Sequence, residues 1–519
     1  MPIGDFIRKA ADHFPNHVVV ADREKRLTAK ELLDRTNRLA NALLGLGLKR
    51  GDRVAILLNN CCQSIECNYG IARAGLVFVP LNTRYSADEH LYILNDSEAK
   101  ALLFGQEFAD VRRPILTKAS SLSWPIGVTG SLPKPVHSYE ELLAQASPGD
   151  PEIEISDEDL CDIRYTAGTT GRPKGAVHTH RNNVIMLYNV LMDGFQIKEG
   201  DAILLTAPVT HASGTQVLPH IARGAKVVVL PGFEVKSLLE TIQRERITTL
   251  YLVPTMIVMI LAYPDLKKYD LSSLKNIRYG ASPISPETLK KAIQVFGNIF
   301  VQGYGLTEGL NPLTVLRKEE HVLDGSEKSL KRLSSIGREV TIARVRIMDE
   351  EGKILPPGQI GEIVVQSEQT MKEYWKKPEA TAEALRNGWL HTRDLGYMDE
   401  DGYVYLVDRK DDMIVSGGFN IYPKEVEEVL YMHPAVLEAA VFGIPDEKWG
   451  EAVKATVSLR TGMKATEEEI IEHCKKHLAS FKKPQSVSFI EELPKSAYGK
   501  ILRRVLKEPF WKNRERMIN

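Results

Sequence analysis

Cysteine is scarce in this 519-residue chain: Cys61, Cys62, Cys67, Cys161 and Cys474 are all there is. Their number is odd and no two have CxxC spacing, which argues against a disulfide framework and a structural zinc site and fits a reducing, cytoplasmic setting. Long apolar runs are missing as well. No stretch approaches the roughly 18 uncharged apolar residues that cross a bilayer, and the first residues, Met1 to His17, hold no signal-like run, so no integral membrane segment is expected. The charge is nearly balanced, with a formal net of −1. No global field is then available to hold nucleic acid or an anionic membrane. Repeats and low-complexity segments are absent too.

What remains is an ordinary globular composition, 43% hydrophobic and 26% charged, long enough for several domains or one large multi-lobed body. Thr28 and Glu31 have the spacing of a capping box, and Leu32, Thr36, Leu39 and Leu43 follow at helical period. Short apolar runs at 54–58, 76–80, 226–230, 248–253, 277–279 and 299–301 alternate with helix candidates such as 63–74. This order predicts an α/β fold with largely parallel sheets. Two of the runs end in loops of small residues, Gly280-Ala281-Ser282 and Gln302-Gly303-Tyr304. Ligands of open α/β sheets bind beyond the carboxyl ends of strands. After Asp408 a charged break leads to a compact α+β tail, with a helix near 423–431, strands near 437–442 and 451–459, and a helix capped by Thr466 with Glu469. The expected division is therefore a large multi-subdomain region, 1–408, and a small α+β domain, 409–519.

Four segments carry chemistry. Tyr165-Thr166-Ala167-Gly168-Thr169-Thr170-Gly171-Arg172-Pro173-Lys174-Gly175 puts three glycines, three hydroxyls and a lysine together. Glycines let backbone N–H groups approach an anion, and hydroxyls and lysine add donors and charge. It is not a Walker A loop, because Gly175 rather than Ser or Thr follows Lys174. In Gln302-Gly303-Tyr304-Gly305-Leu306-Thr307-Glu308 an aromatic ring could stack on a purine and a carboxylate could hold Mg2+. Trp389-Leu390-His391-Thr392-Arg393-Asp394, with Asp408-Arg409 further on, offers a carboxylate for ribose hydroxyls backed by an arginine. Leu493-Pro494-Lys495-Ser496-Ala497-Tyr498-Gly499-Lys500 carries a lysine that can be delivered to a phosphate as a mobile point charge. Taken singly, each segment also reads as a turn, a charged linker or an exposed basic loop. His473, Cys474 and His477 read as a solvated helix face, as does the basic run that includes Arg503 and Arg504. His178 and His180 lack a carboxylate partner nearby in sequence.

In this order and at these separations the four segments resemble the adenylate-forming superfamily, over 6–507. That superfamily holds acyl-CoA synthetases, aryl-CoA ligases, firefly-type luciferases and peptide-synthetase adenylation domains. The resemblance implies an AMP-forming acyl-CoA synthetase that uses ATP, Mg2+ and coenzyme A on a small-molecule carboxylic acid. A medium- or long-chain fatty acid is favoured, with an aryl or alicyclic acid next. Delivery to a carrier protein is the alternative, and a homodimer is one option for its assembly. It implies that Thr166, Ala167, Gly168, Thr169, Thr170, Gly171 and Lys174 bind phosphate. Gly280, Ala281 and Ser282 would line the adenine and acyl pockets, and Gln302, Gly303, Tyr304 and Gly305 the adenine side. Thr307 would touch the α-phosphate, Glu308 would hold Mg2+, and Asp394 and Arg409 would bind ribose. His211, Ala212, Ser213 and Gly214, together with Ala281 and Gly305, would form the acyl pocket. Asp411 would be a hinge, Gly417 and Gly418 would flank the coenzyme A tunnel, and Lys500 would serve adenylation. Arg393 departs from the pattern, standing where the family usually has glycine.

Overall fold

The structure is a computed structural model that describes residues 1–108, 115, 117–130, 136–166, 172–282, 284–409, 412–416, 419–447, 449–495 and 501–512. The chain divides into two compact units: residues 1–345 with 365–390, and residues 346–364 with 391–519. The boundary expected at 408/409 therefore falls inside the second unit. Asp394 and Arg409 belong to that unit, whereas Lys174, Gln302 and Glu308 belong to the first.

Two large sheets build the first unit. One runs, in spatial order, through Arg338–Glu339, Leu310–Leu316, Phe300–Leu306, Asn276–Gly280, Thr249–Leu252, Ala202–Leu205, Lys226–Val229, Val18–Ala21 and Arg26–Thr28. Its centre is parallel, with Ile277 beside Phe300 and Leu250 beside Ile277. The other includes Lys174–Thr179, Leu160–Thr166, Val77–Pro80, Arg53–Leu57 and Ala101–Phe104, again parallel through its middle. The central strands are buried on both faces, so they read in the sequence as unbroken apolar runs. One face of the first sheet packs Leu238, Ile242, Ile257 and Leu289, from three helices, against Leu250, Ile277 and Tyr279. Its other face packs Ile203, Leu205, Val229 and Tyr251 against Val217, Leu218 and Ile221.

The predicted helix caps are present. Thr28 accepts from the Glu31 backbone N–H while Glu31 reaches back to Thr28, and Thr466 and Glu469 do the same. The glycine motif at 302–305 differs from expectation. It is not a loop after a strand ending at Val301 but the strand itself, Phe300–Leu306. A Cβ at Gly280 would lie 2.3 Å from the Gly303 carbonyl oxygen, and one at Gly305 would lie 2.2 Å from that of Leu310. The glycines thus serve close backbone approach within a sheet.

In the second unit, Val404–Arg409 pairs antiparallel with Trp389–Met398. A further sheet holds Phe419–Ile421, Ile414–Ser416, Gly450–Leu459, Val436–Asp446 and Ser486–Phe489. Val426, Leu430, Ile470 and Cys474, from two helices, cover it. Cys474 therefore faces the core. The neighbouring His473 ring is half-buried, with Nε2 3.0 Å from the Val429 carbonyl oxygen, while His477 is exposed, so this turn is the solvated face expected only at His477. Arg503 also departs from expectation: its guanidinium donates to Glu427 at 2.7 and 3.1 Å and to Asp412 at 2.9 Å. Among the described residues, no helix is long and apolar enough to cross a membrane.

Candidate active site

The Phe300–Leu306 strand ends in a single turn, Thr307–Gly309, and returns as Leu310–Leu316. The turn holds Thr307 and Glu308 half-buried at the strand's carboxyl end. Three contacts fix it. The Glu308 carbonyl accepts the Met371 N–H at 2.6 Å. The fully buried Gln369 amide donates to the Gly309 and Pro312 carbonyls, each at 2.8 Å, and accepts from Asn189 at 2.6 Å. The Tyr374 hydroxyl donates to Glu308 Oε1 at 2.7 Å.

Tyr374 joins two of the motifs. Its two-residue strand, Glu373–Tyr374, pairs with Lys174–Thr179, setting Tyr374 opposite Ala176. The Lys174 ammonium lies 5.3 Å from the centre of the Tyr374 ring, a cation–π contact. The lysine after the glycine-rich loop and the carboxylate after the 302–306 strand are thereby held on either side of one phenol. Sequence reasoning missed Tyr374: it lies 200 positions from Lys174, in a segment with no glycine or periodicity to mark it.

Thr166 closes the strand before the glycine-rich loop, its hydroxyl 3.5 Å from the Lys174 carbonyl. Ala167, Gly168, Thr169, Thr170 and Gly171 lie outside the described residues, as do Asp411, Gly417, Gly418 and Lys500. Ala281 takes φ = 68°, a left-handed conformation, directly after Gly280. On the neighbouring strand the Gln302 side chain is buried, and its amide oxygen finds no partner among the described residues. That oxygen could accept the exocyclic amino group of an adenine.

His211 stands at the head of a locked segment. Ser213 donates to the Ala207 and Pro208 carbonyls at 3.0 and 2.7 Å, and Asn60 holds the Ala207 carbonyl and the Val209 N–H at 2.8 and 2.9 Å. Gly214 is required there, since a Cβ would meet the Val209 carbonyl oxygen at 1.9 Å. Desolvation of the His211 ring, reinforced by the Arg164 guanidinium, lowers its pKa to about 3. The ring is thus neutral at physiological pH. His178, for its part, has a carboxylate partner after all, Asp162 at 2.9 Å, in a buried cluster with Arg164 and Asn183.

In the second unit, Asp394 and Arg409 are register partners, and the guanidinium Nε lies 3.3 Å from the buried carboxylate. Arg393 adopts φ = 62° and its N–H is held by Glu362 at 2.9 Å. The backbone conformation that favours glycine is therefore kept without one.

A magnesium ion takes one or two protein carboxylates and completes its shell with phosphate and water. Glu308 fits that pattern: Tyr374 engages Oε1, and no hydrogen bond to Oε2 is seen among the described residues. Those residues contain no cluster of three or more His, Cys, Asp or Glu able to hold a metal unaided.

The chain matches the AMP-binding enzyme family over residues 7–375 and the AMP-binding enzyme C-terminal domain over residues 425–500. It is 37% identical to a feruloyl-CoA synthase of Amycolatopsis sp, covering 98% of this chain and 99% of that protein. It is 35% identical to a long-chain-fatty-acid–CoA ligase of Mycobacterium tuberculosis, covering 98% of each. The solved structure of ATP-bound MatB from Rhodopseudomonas palustris superposes with a TM-score of 0.89 at 30% identity, covering 99% of both chains. With Glu308, Tyr374 and Lys174 gathered at the strand ends, and with both family domains matched in order, the chain belongs to the AMP-binding enzyme family and, within it, to the AMP-forming acyl-CoA synthetases of the adenylate-forming superfamily.

Proposed function

We propose that the chain joins a medium- or long-chain fatty acid, or next an aryl or alicyclic acid, to coenzyme A through an acyl-adenylate. The observation that carries the reading is the Lys174–Tyr374–Glu308 cluster. It sets a cation and a carboxylate on one strand-end surface, as a phosphate with its metal requires. The relatives act, by their names, on feruloyl and long-chain fatty acyl groups, and both substrate classes support the range proposed here.

In the first step a carboxylate oxygen attacks the α-phosphorus of ATP and the bond to pyrophosphate breaks. Catalysis of such a transfer is chiefly positioning and charge stabilisation. Lys174 binds the departing phosphates, Thr307 contacts the α-phosphate, and Gln302 reads the adenine. Glu308 would hold magnesium, which when bound neutralises phosphate oxygens. Neutral His211 bounds the acyl entrance without competing for the carboxylate's charge. Asp394 and Arg409 hold the ribose. In the second step the thiol of coenzyme A loses its proton and attacks the acyl carbon, and AMP leaves. Residues 409–519 turn about Asp411 between the steps, exchanging Lys500 for the Gly417–Gly418 loop and keeping water out.

Lys500→Ala tests this division of labour. It should cripple acid-dependent pyrophosphate release yet leave thioester formation from supplied acyl-adenylate largely intact. Equal loss of both steps contradicts it.

A further inference from the structure

The first unit buries a cation with no anion beside it among the described residues. Arg278 lies in the Asn276–Gly280 strand and is 0% exposed. Its Nη2 donates to Asn311 Oδ1 at 3.0 Å, while Nε and Nη1 have no partner among the described residues. Among the described residues no carboxylate acts on it: burial lowers its pKa to about 10, and the Tyr251 phenol beside it offsets part of this. The guanidinium is still protonated at neutral pH. An arginine that loses its hydration without gaining an anion is held in an unfavourable state unless something else supplies the acceptor.

Its surroundings place it. Alternation along a strand puts Arg278 on the same sheet face as Gly280, two residues further on, and Tyr251. Gly303 and Gly194 make room for the guanidinium: Cβ atoms there would come within 2.8 Å of Nη2 and 3.2 Å of Nη1. Phe195 packs its ring 6.1 Å from that of His220, a fully buried histidine on which the charge of Arg278 acts. The His220 ring stays neutral, its pKa lowered to about 4 chiefly by burial, and Nδ1 lies 2.7 Å from the Gln216 carbonyl oxygen. Gln216 and His220 continue the chain directly from His211–Gly214 into the protein interior. Arg278 thus shares a sheet face with Gly280, which precedes the Ala281 expected at the acyl pocket, and lies within electrostatic reach of His220, on the helix that follows His211–Gly214.

We infer that Arg278 forms the closed end of the acyl site and that the acid activated here carries a second, distal carboxylate, which pairs with the guanidinium. The inference rests on the acyl-CoA synthetase reading and narrows its substrate from a plain chain to a diacid. A distal carboxylate supplies the missing anion and meets the unused N–H donors. A methyl-terminated chain would leave the cation as it is.

The test compares α,ω-diacids of increasing length, and benzene-1,4-dicarboxylate, each with its own monomethyl ester. Thioester formation is followed in the wild-type protein and in Arg278→Met. The wild type should prefer one diacid over its ester by on the order of 30-fold in kcat/KM, the scale of a buried ion pair broken at one end. Arg278→Met should abolish that preference while turning over the ester within a few-fold of wild type. Equal use of diacid and ester by the wild type overturns the inference and leaves the synthetase reading standing, and this arm needs no variant to fold. Equal loss of both substrates in Arg278→Met also overturns it. A second readout is the melting temperature without ATP. If no acid yields thioester but a diacid raises the wild-type melting temperature and not that of Arg278→Met, the Arg278 site stands and the synthetase reading falls; no shift and no turnover defeats both.

Discussion

Two arginines in this chain, one half-buried and one fully buried, are treated in opposite ways. Arg503 is surrounded by Glu427, Asp412 and Asp408, and these carboxylates raise its pKa above the usual arginine value against the effect of burial. Arg278 meets one neutral amide and, among the described residues, no carboxylate, and its pKa falls. Arg164 follows the first pattern, its pKa raised by Asp162, while Arg73 lies between the two: it pairs with Asp150, yet burial still lowers its pKa. Where an arginine only holds the fold together, its compensation is built in. Where the compensation is left out, the fold has kept a charge in reserve for a ligand.

The contrast is broken most forcefully at Arg503. Arg503→Met leaves the buried Glu427 and Asp408 carboxylates uncompensated and should destabilise the protein by about 3–5 kcal/mol, read as a fall in the denaturant midpoint. A loss under about 1 kcal/mol would show that the network is not structural. At the Lys174–Tyr374–Glu308 cluster, Tyr374→Phe removes a hydrogen bond to a carboxylate, worth about 1.5–3 kcal/mol. Acid-dependent pyrophosphate release should slow by roughly tenfold or more, and half-maximal activity should need more magnesium. A slower rate with an unchanged magnesium requirement would assign Tyr374 to packing alone. Arg278→Met then gives the reverse of Arg503→Met: replacing an unpaired buried cation by an apolar chain should change stability by less than about 1 kcal/mol or raise it. A loss comparable with that of Arg503→Met would remove the contrast altogether.

Buried neutral histidines supply the smallest effect, per unit of pH. His321 accepts from the Tyr279 hydroxyl at 2.9 Å, its Nδ1 lies 2.8 Å from the Arg317 carbonyl oxygen, and burial lowers its pKa to about 4. The unfolded chain takes up a proton below about 6.5 that the folded chain refuses. The stability from this site is therefore complete above about pH 6.5 and is lost as pH falls toward 4, at on the order of 1 kcal/mol per pH unit. Denaturant unfolding between pH 7.5 and 5 should show a shallower slope in His321→Gln, and an unchanged slope would exclude the site.

The sequence made the α/β architecture legible because apolar runs buried on both faces, and capping boxes such as Thr28–Glu31, are local signals. Membership of the AMP-binding enzyme family was legible because its glycine-rich and acidic segments, such as 165–175 and 302–308, are short and local. Tyr374 was not, because a two-residue strand leaves no period and its partners Lys174 and Glu308 are remote in the chain. Arg278 was hidden by its own strand, where the run 277–279 reads as apolar although the arginine stands at its centre. The extent of the Phe300–Leu306 strand was misjudged because glycines signal turns locally, whereas here they admit the neighbouring backbones of Gly280 and Leu310. The pairing of Arg503 escaped notice because its carboxylate partners lie 76 to 95 residues away.

The most direct test of the account is product analysis with ATP, magnesium, coenzyme A and the panel of acids, with nucleotides and thioesters identified by mass spectrometry. The account predicts AMP, pyrophosphate and one acyl-CoA in equal amounts, all dependent on the acid and all lost in Glu308→Gln. ADP and inorganic phosphate in place of AMP and pyrophosphate, or release undiminished by Glu308→Gln, would contradict it.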